Sequence, residues 1–175
     1  MIRSIDTLQQ RKQLPVPKPE LRAVLRRAEP LLLEREELLL LYHAVATQLQ
    51  PDRPRIIEIM SSTHGEGTST IARELARAVA SDVGHSVLLV VATSGAPRVP
   101  GLEAVAKGEL PFDAAIEADA DVPLFYRTTL CVSGSNTSLL FERSELDQVL
   151  AQALRYAKLV IIDAPPALSQ VAAFP

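Results

Sequence analysis

Chemistry is most legible in the stretch Gly65-Glu66-Gly67-Thr68-Ser69-Thr70, which opens an amphipathic helix after a β-branched run. A phosphate-binding loop of pattern G-x-x-x-x-G-K-[ST] uses backbone N–H groups and a helix N-terminus to cradle phosphates. A lysine reaches the terminal phosphates and a Ser/Thr hydroxyl holds magnesium. Against that pattern Ser62 replaces the first glycine, Gly67 is the second, Thr68 replaces the lysine and Ser69 matches the magnesium ligand. Read alone, such a Gly/Ser/Thr stretch is also an ordinary turn with a helix cap. No lysine lies in the loop. Arg73, one turn into the helix, and Arg98 could substitute only by reaching across, and their plainer account is that of solvated surface arginines.

Ligands of open α/β sheets bind beyond the carboxyl ends of the strands. The run Ser86 to Ala92 offers no carboxylate there, whereas Leu159-Val160-Ile161-Ile162 ends in Asp163, followed by Ala164-Pro165-Pro166. Asp163 is placed to hold magnesium through water. An aspartate that simply caps the turn after a strand is the competing account.

The elements that must position these groups follow from periodicity. Arg55 to Met60 reads as a buried strand entering a turn, Thr68 to Asp82 as a helix closed by Gly84, and Ser86 to Ala92 as a strand. A strand, crossover helix and strand imply neighbouring parallel strands. Pro100 to Lys107 and Phe112 to Ala118 read as short helices around Gly108, and Leu124 to Ser133 as one or two strands. Ser144 to Ala157 reads as a helix with Ser144 at its N-cap and Leu146, Val149, Leu150, Ala153 and Leu154 on one face. The expected fold is a three-layer α/β P-loop NTPase-like domain with a mostly parallel sheet, truncated on its C-terminal side so that an edge is left after Asp163.

Residues 1–19, with Leu14-Pro15-Val16-Pro17-Lys18-Pro19, read as a flexible tail, and 20–175 as one domain. Pro30 should divide an N-terminal helical stretch whose longer part runs through Leu38, Leu41, Tyr42, Val45 and Leu49. That helix is expected to be core. Exposure of Leu38, Leu39 or Leu40 would instead mark a partner contact.

The chain has 175 residues, 47% of them hydrophobic, enough for a real core, and a net charge of −3 that gives a nucleic-acid partner no electrostatic support. Its single cysteine, Cys131, forbids an internal disulfide and a cysteine-based zinc cluster, which fits a reducing cytoplasm. Leu31-Leu32-Leu33 is broken by Glu34 to Glu37, far short of a membrane span. Membrane association would come through a partner protein.

With these residues in hand, the sequence resembles the cytoplasmic ATPase domain of bacterial tyrosine kinases, within the wider MinD/ParA-like P-loop class. The resemblance rests on Ser61 to Thr70, on Val87 to Ala92, on Pro100-Gly101-Leu102 through Lys107-Gly108-Glu109, and on Leu159 to Leu168. It implies a domain that binds Mg-ATP or Mg-ADP and whose active members phosphorylate tyrosines to regulate exopolysaccharide or capsule length and export. It also implies a membrane polysaccharide co-polymerase or an active kinase as partner, in a homo-oligomer or hetero-complex. Of the family's site, Gly65, Gly67, Ser69, Thr70 and Asp163 remain. Thr68 stands at the lysine, and Val91 and Thr93 stand where the family carries two aspartates. Leu40, His43 and Ala46 fall where an E-x-x-R-x-x-R oligomerisation motif belongs. The family's later strands, base-contacting region and tyrosine cluster would lie beyond Pro175, and Tyr42, Tyr126 and Tyr156 are dispersed at core or helix-face positions. These departures lead to the expectation of a kinase-like binding module with weak or no nucleotide binding. The alternative is an active kinase in which an arginine or a partner's residue replaces the lysine.

Overall fold

The computed structural model describes residues 34–48, 55–94, 99–132 and 143–166. The N-terminal tail, the Pro30 break, Leu49 and Arg98 lie outside the described residues, as do the side chains of Thr93, Ser144 and Leu146.

The first helix, α1 (Arg35–Ala46), starts where Glu34 N–H donates to Glu37 Oε2 at 3.1 Å, with acids in the first turn that suit the positive end of the helix dipole. Leu38 and Tyr42, four residues apart, are buried, whereas Leu40 is 69% exposed. The helix is therefore core on one stripe only. β1 (Arg55–Ile59) leads through the glycine loop into α2 (Thr68–Ala78), which continues as a π-helical turn over 79–83 and stops at Gly84, φ 68°. Glycine alone takes that left-handed position without a Cβ penalty.

Then come β2 (Val87–Ser94), α3 (Leu102–Ala106), a 3₁₀ turn over Phe112–Ala114, β3 (Glu117–Ala118), β4 (Phe125–Val132), α4 (Arg143–Tyr156) and β5 (Leu159–Asp163). The expected helix over Phe112 to Ala118 is thus a 3₁₀ turn and a short strand. Glu117 and Ala118 pair antiparallel with β4, where the Arg127 guanidinium lies 3.7 Å from Glu117 and 3.6 Å from Asp119. Ser144 falls inside α4, which begins a residue earlier, and is not its N-cap.

Strand order is β1-β5-β2-β4-β3, parallel except for β3. This corrects three expectations. β1 and β2 are parallel but β5 lies between them. β1 is an edge strand, its residues alternating half-buried and exposed, rather than a buried one. Among the described residues the open edge belongs to β1, not to the strand ending in Asp163. Composition explains the exchange: Leu159, Val160 and Ile161 are each fully buried, as a central strand requires, while Arg55 and Glu58 are tolerable only at an edge.

Helices cover both faces. On one, α1 and α2 pack on Val87, Leu89, Phe125, Leu159 and Ile161, with Ile57 and Ile59 of β1 completing the cluster. On the other, α3 and α4 pack on Leu88, Val90, Leu130 and Val160 through Leu102, Val149 and Ala153. Alternation along each strand sends successive side chains to opposite layers, which produces the three-layer arrangement. No helix among the described residues is long and apolar enough to cross a membrane.

Candidate functional site: a phosphate loop above a buried aspartate

The glycine loop rises from the carboxyl end of β1. Gly65 (φ 86°) and Gly67 (φ 83°) are both left-handed, and Gly67 is the N-cap of α2. Alternation of this kind turns successive N–H groups toward one concavity. The first hydrogen bond at this helix start runs from Ile71 N–H to Gly67 O, 2.9 Å. The N–H groups of Thr68, Ser69 and Thr70 come before it and have no carbonyl one turn back. No side chain caps them and no acid lies in the first turn of α2.

Glu66 braces the loop from its own side. Its carboxylate accepts Ser62 N–H at 3.0 Å and the Thr63 hydroxyl at 2.8 Å. These bonds, the Thr63 hydroxyl first, hold the carboxyl below the ordinary range although it is fully exposed. Ser61 Oγ adds a bond to Thr63 O, 2.9 Å. The loop thus keeps its shape and carries a fixed negative charge.

Beneath the loop, Asp163 ends β5 and is 5% exposed. Burial pushes its carboxyl up. A hydrogen bond from the Ser69 hydroxyl and the positive charge of Arg73 pull the other way. The structure therefore joins the two residues assigned to magnesium. Arg73, four residues after Ser69 on the same helix face, is not a solvated surface arginine. Its side chain is 14% exposed and its Nε lies 3.1 Å from Glu74 Oε1. It addresses Asp163 from behind Ser69, one turn away from the helix N-terminus.

Val91 lies beside Asp163 in the β2–β5 register and lines the cleft with Ala92. An apolar side chain thus faces the site where the resemblance expects an aspartate. The cleft, about 630 Å³, is bounded by Ser61, the loop from His64 to Thr70, Val91, Ala92 and the segment Asp163 to Pro166. All the loop residues from Gly65 to Thr70 line it, and among the described residues none of the lining is a lysine, arginine or tyrosine. Tyr42 is buried on the inner face of α1, while Tyr156 donates a hydrogen bond to Asp113 and packs against Phe112. Val91 was assigned from the resemblance alone. The wall of Ala164, Pro165 and Pro166 was visible in sequence only as the three residues after Asp163, and His64 only as a loop residue.

The donor set fits one part of a magnesium nucleotide and not another. Ser69 and Asp163 present a hydroxyl and a carboxylate on adjacent elements, which suits a magnesium ion held directly and through water. The N–H groups of the loop suit a phosphate. No lining cation among the described residues answers a terminal phosphate.

No protein-family model matches the chain, and no curated protein matches it. Solved structures do. The kinase domain of the Escherichia coli tyrosine kinase ETK aligns with a TM-score of 0.62 at 20% identity, over 90% of this chain and 71% of that one. The VpsO kinase domain gives 0.60 at 20% identity, covering 79% and 72%, and the chimerical protein CapA2B2 gives 0.60 at 23% identity, covering 91% and 73%. This chain has the P-loop α/β fold of the bacterial tyrosine-kinase domains.

Proposed function

We propose that this chain is a degenerate tyrosine-kinase-like module of exopolysaccharide or capsule synthesis and export. It acts as a regulatory or scaffolding partner of a membrane polysaccharide co-polymerase or of an active kinase. One observation carries the reading: the cleft keeps the Ser69–Asp163 pair and the glycine loop, yet Thr68 and Val91 occupy the positions of charged groups and, among the described residues, none that lines it is a lysine or arginine. Losing a charge-assisted contact to phosphate costs roughly 1.5–3 kcal/mol of binding, which leaves weak Mg-ATP or Mg-ADP binding or none. Phosphoryl transfer loses more, because it depends on charge stabilisation, and one missing cation costs about 10³-fold or more. The exposed Leu40 and Leu41 on α1 support a partner contact.

The test is an autophosphorylation and ATP-hydrolysis assay on the full chain. No phosphotyrosine and no turnover are expected, and robust turnover by purified protein overturns the reading. A second reading, an active kinase with an arginine in the lysine's place, is favoured by the half-buried position of Arg73. It requires Ser69→Ala and Asp163→Ala each to abolish activity. The placement of Arg73 behind Ser69, away from the loop, weighs against it.

A further inference from the structure

We infer that Tyr156 is a phosphoacceptor: an active tyrosine kinase modifies it, and the phosphate loosens the end of α4 from the 3₁₀ turn over Phe112–Ala114. The inference rests on the reading of this chain as the partner of such a kinase and names how that kinase regulates it. The chain has three tyrosines. Tyr42 is 2% exposed, and its hydroxyl is engaged by Arg55 and His85. Tyr126 is half-buried on β4, between β2 and β3, and packs on the cluster under α3 and α4. Tyr156 is 36% exposed and is the last residue of α4. Helix ends lack part of their hydrogen bonding and fray, so a side chain there reaches another protein's active site more readily than one inside a strand.

Two contacts decide what a phosphate on that phenol does. Its hydroxyl donates to a carboxylate oxygen of Asp113, and its ring lies 4.8 Å from that of Phe112, centroid to centroid. Phe112 is itself buried in the cluster under α3 and α4. In the transfer the phenol oxygen bonds to the terminal phosphorus of a nucleoside triphosphate held by the kinase. The P–O bond to the second phosphate breaks and a nucleoside diphosphate leaves. The phenol proton passes to solvent, Asp113 being the carboxylate that accepts it beforehand. The product carries about −1.5 to −2 charges where a neutral donor stood. That charge meets the Asp113 carboxylate and the negative end of the α4 dipole, and both repel it. Arg155 and Lys158, the nearest cations in sequence, are exposed and can receive it. A phosphate that leaves Asp113 draws the ring off Phe112.

The test incubates the full chain and Mg-ATP with and without a purified bacterial tyrosine-kinase domain that phosphorylates its own tyrosines in the same tube. Mass spectrometry of the peptides is expected to find one phosphate, on Tyr156, only when the kinase is added, and Tyr156→Phe should abolish it. Hydrogen exchange of residues 112–114 and of the last turn of α4 should be about tenfold faster in the phosphorylated chain than in the unmodified one. In Asp113→Asn, which removes the facing charge, the same comparison should give about threefold. No phosphotyrosine, or phosphotyrosine on Tyr42 or Tyr126 instead, overturns the phosphoacceptor. Phosphate on Tyr156 with unchanged exchange overturns the loosening. Phosphotyrosine formed without the added kinase defeats the degenerate-kinase reading, whichever tyrosine carries it, whereas an unmodified and inactive chain defeats only the assignment of Tyr156.

Discussion

Asp163 lies between opposed influences, desolvation raising its carboxyl pKa and Ser69 and Arg73 lowering it, with desolvation the larger. A folded-state pKa above the reference of 3.8 means that the native chain binds more protons than the unfolded one between those values. The stabilising contribution is therefore present at low pH and lost as pH rises through that interval. Asp163→Asn should be more stable than wild type at pH 7 by about 0.5–2 kcal/mol, as is common when a strained site group is neutralised, and the difference should shrink by pH 4. Urea denaturation of both proteins at the two pH values checks this, and a less stable variant at pH 7 refutes it. Glu66 has the opposite sign. Its pKa lies below the reference of 4.5, so its clasp on Ser62 and Thr63 is intact above that value and lost as pH falls through the depressed one. The Ser62 amide resonance should titrate below pH 4.5 in wild type and not in Glu66→Gln.

At the level of elements, α1 is held to the domain by a latch at the foot of the sheet. Arg55 donates to Tyr42 Oη at 3.2 Å and Tyr42 Oη lies 3.2 Å from His85 Nδ1, so the phenol proton is available only to an unprotonated nitrogen. Arg35 grips Asp82 of the π turn through two bonds, at 2.5 and 2.7 Å. Burial, then the charges of Lys158 and Arg55, hold the His85 imidazole below its reference of 6.5. Its contribution is thus full above pH 6.5 and lost as pH falls through the depressed value. Hydrogen exchange of α1 should accelerate relative to the β5 core as pH falls below 6.5 through the depressed value in wild type but not in His85→Asn. A second element is fixed by contact rather than charge. Gly101 presses on β4 so closely that a Cβ would collide with the Thr129 carbonyl, and Glu103 ties the same turn down by accepting the N–H groups of Gly101 at 2.8 Å and Cys131 at 3.0 Å. Gly101→Ala should cost about 1–3 kcal/mol in a denaturant titration, although its backbone φ is negative.

Among the described residues the sheet presents an open edge along β1. Arg55 N–H and Ile59 C=O are bonded to the β5 side, so alternation leaves the N–H and C=O groups of Ile56 and Glu58 on the outer side of β1. Ile56 and Met60 are exposed beside that edge, and Leu40 and Leu41 are exposed on α1. An unpaired edge and apolar side chains of this kind invite another chain. The expected outcome is a homo-oligomer or a complex in light scattering, weakened by Leu40→Glu. A strict monomer that captures neither co-polymerase nor kinase would refute it.

The sequence by itself determined the elements whose patterns are local: the loop between β1 and α2, the Gly84 stop, the run Leu159 to Asp163, and the family resemblance borne by those motifs. Periodicity and turn chemistry act over a few residues, so one chain suffices to read them. The tertiary structure decided what depends on neighbours distant in sequence. It inserted β5 between β1 and β2, which moved the open edge to β1. It brought Asp163 under Ser69, half-buried Arg73 one turn further along α2 and set Val91 beside Asp163. Strand order is a competition among all strands for central burial, and a carboxylate's pKa is set by whatever packs around it. Neither the strand order nor the shift of that pKa from its reference exists until the chain has folded. The loop is therefore legible as a phosphate-binding shape in the residues alone, and its missing charge becomes consequential only in the folded cleft, where no lining lysine or arginine among the described residues replaces the lost lysine.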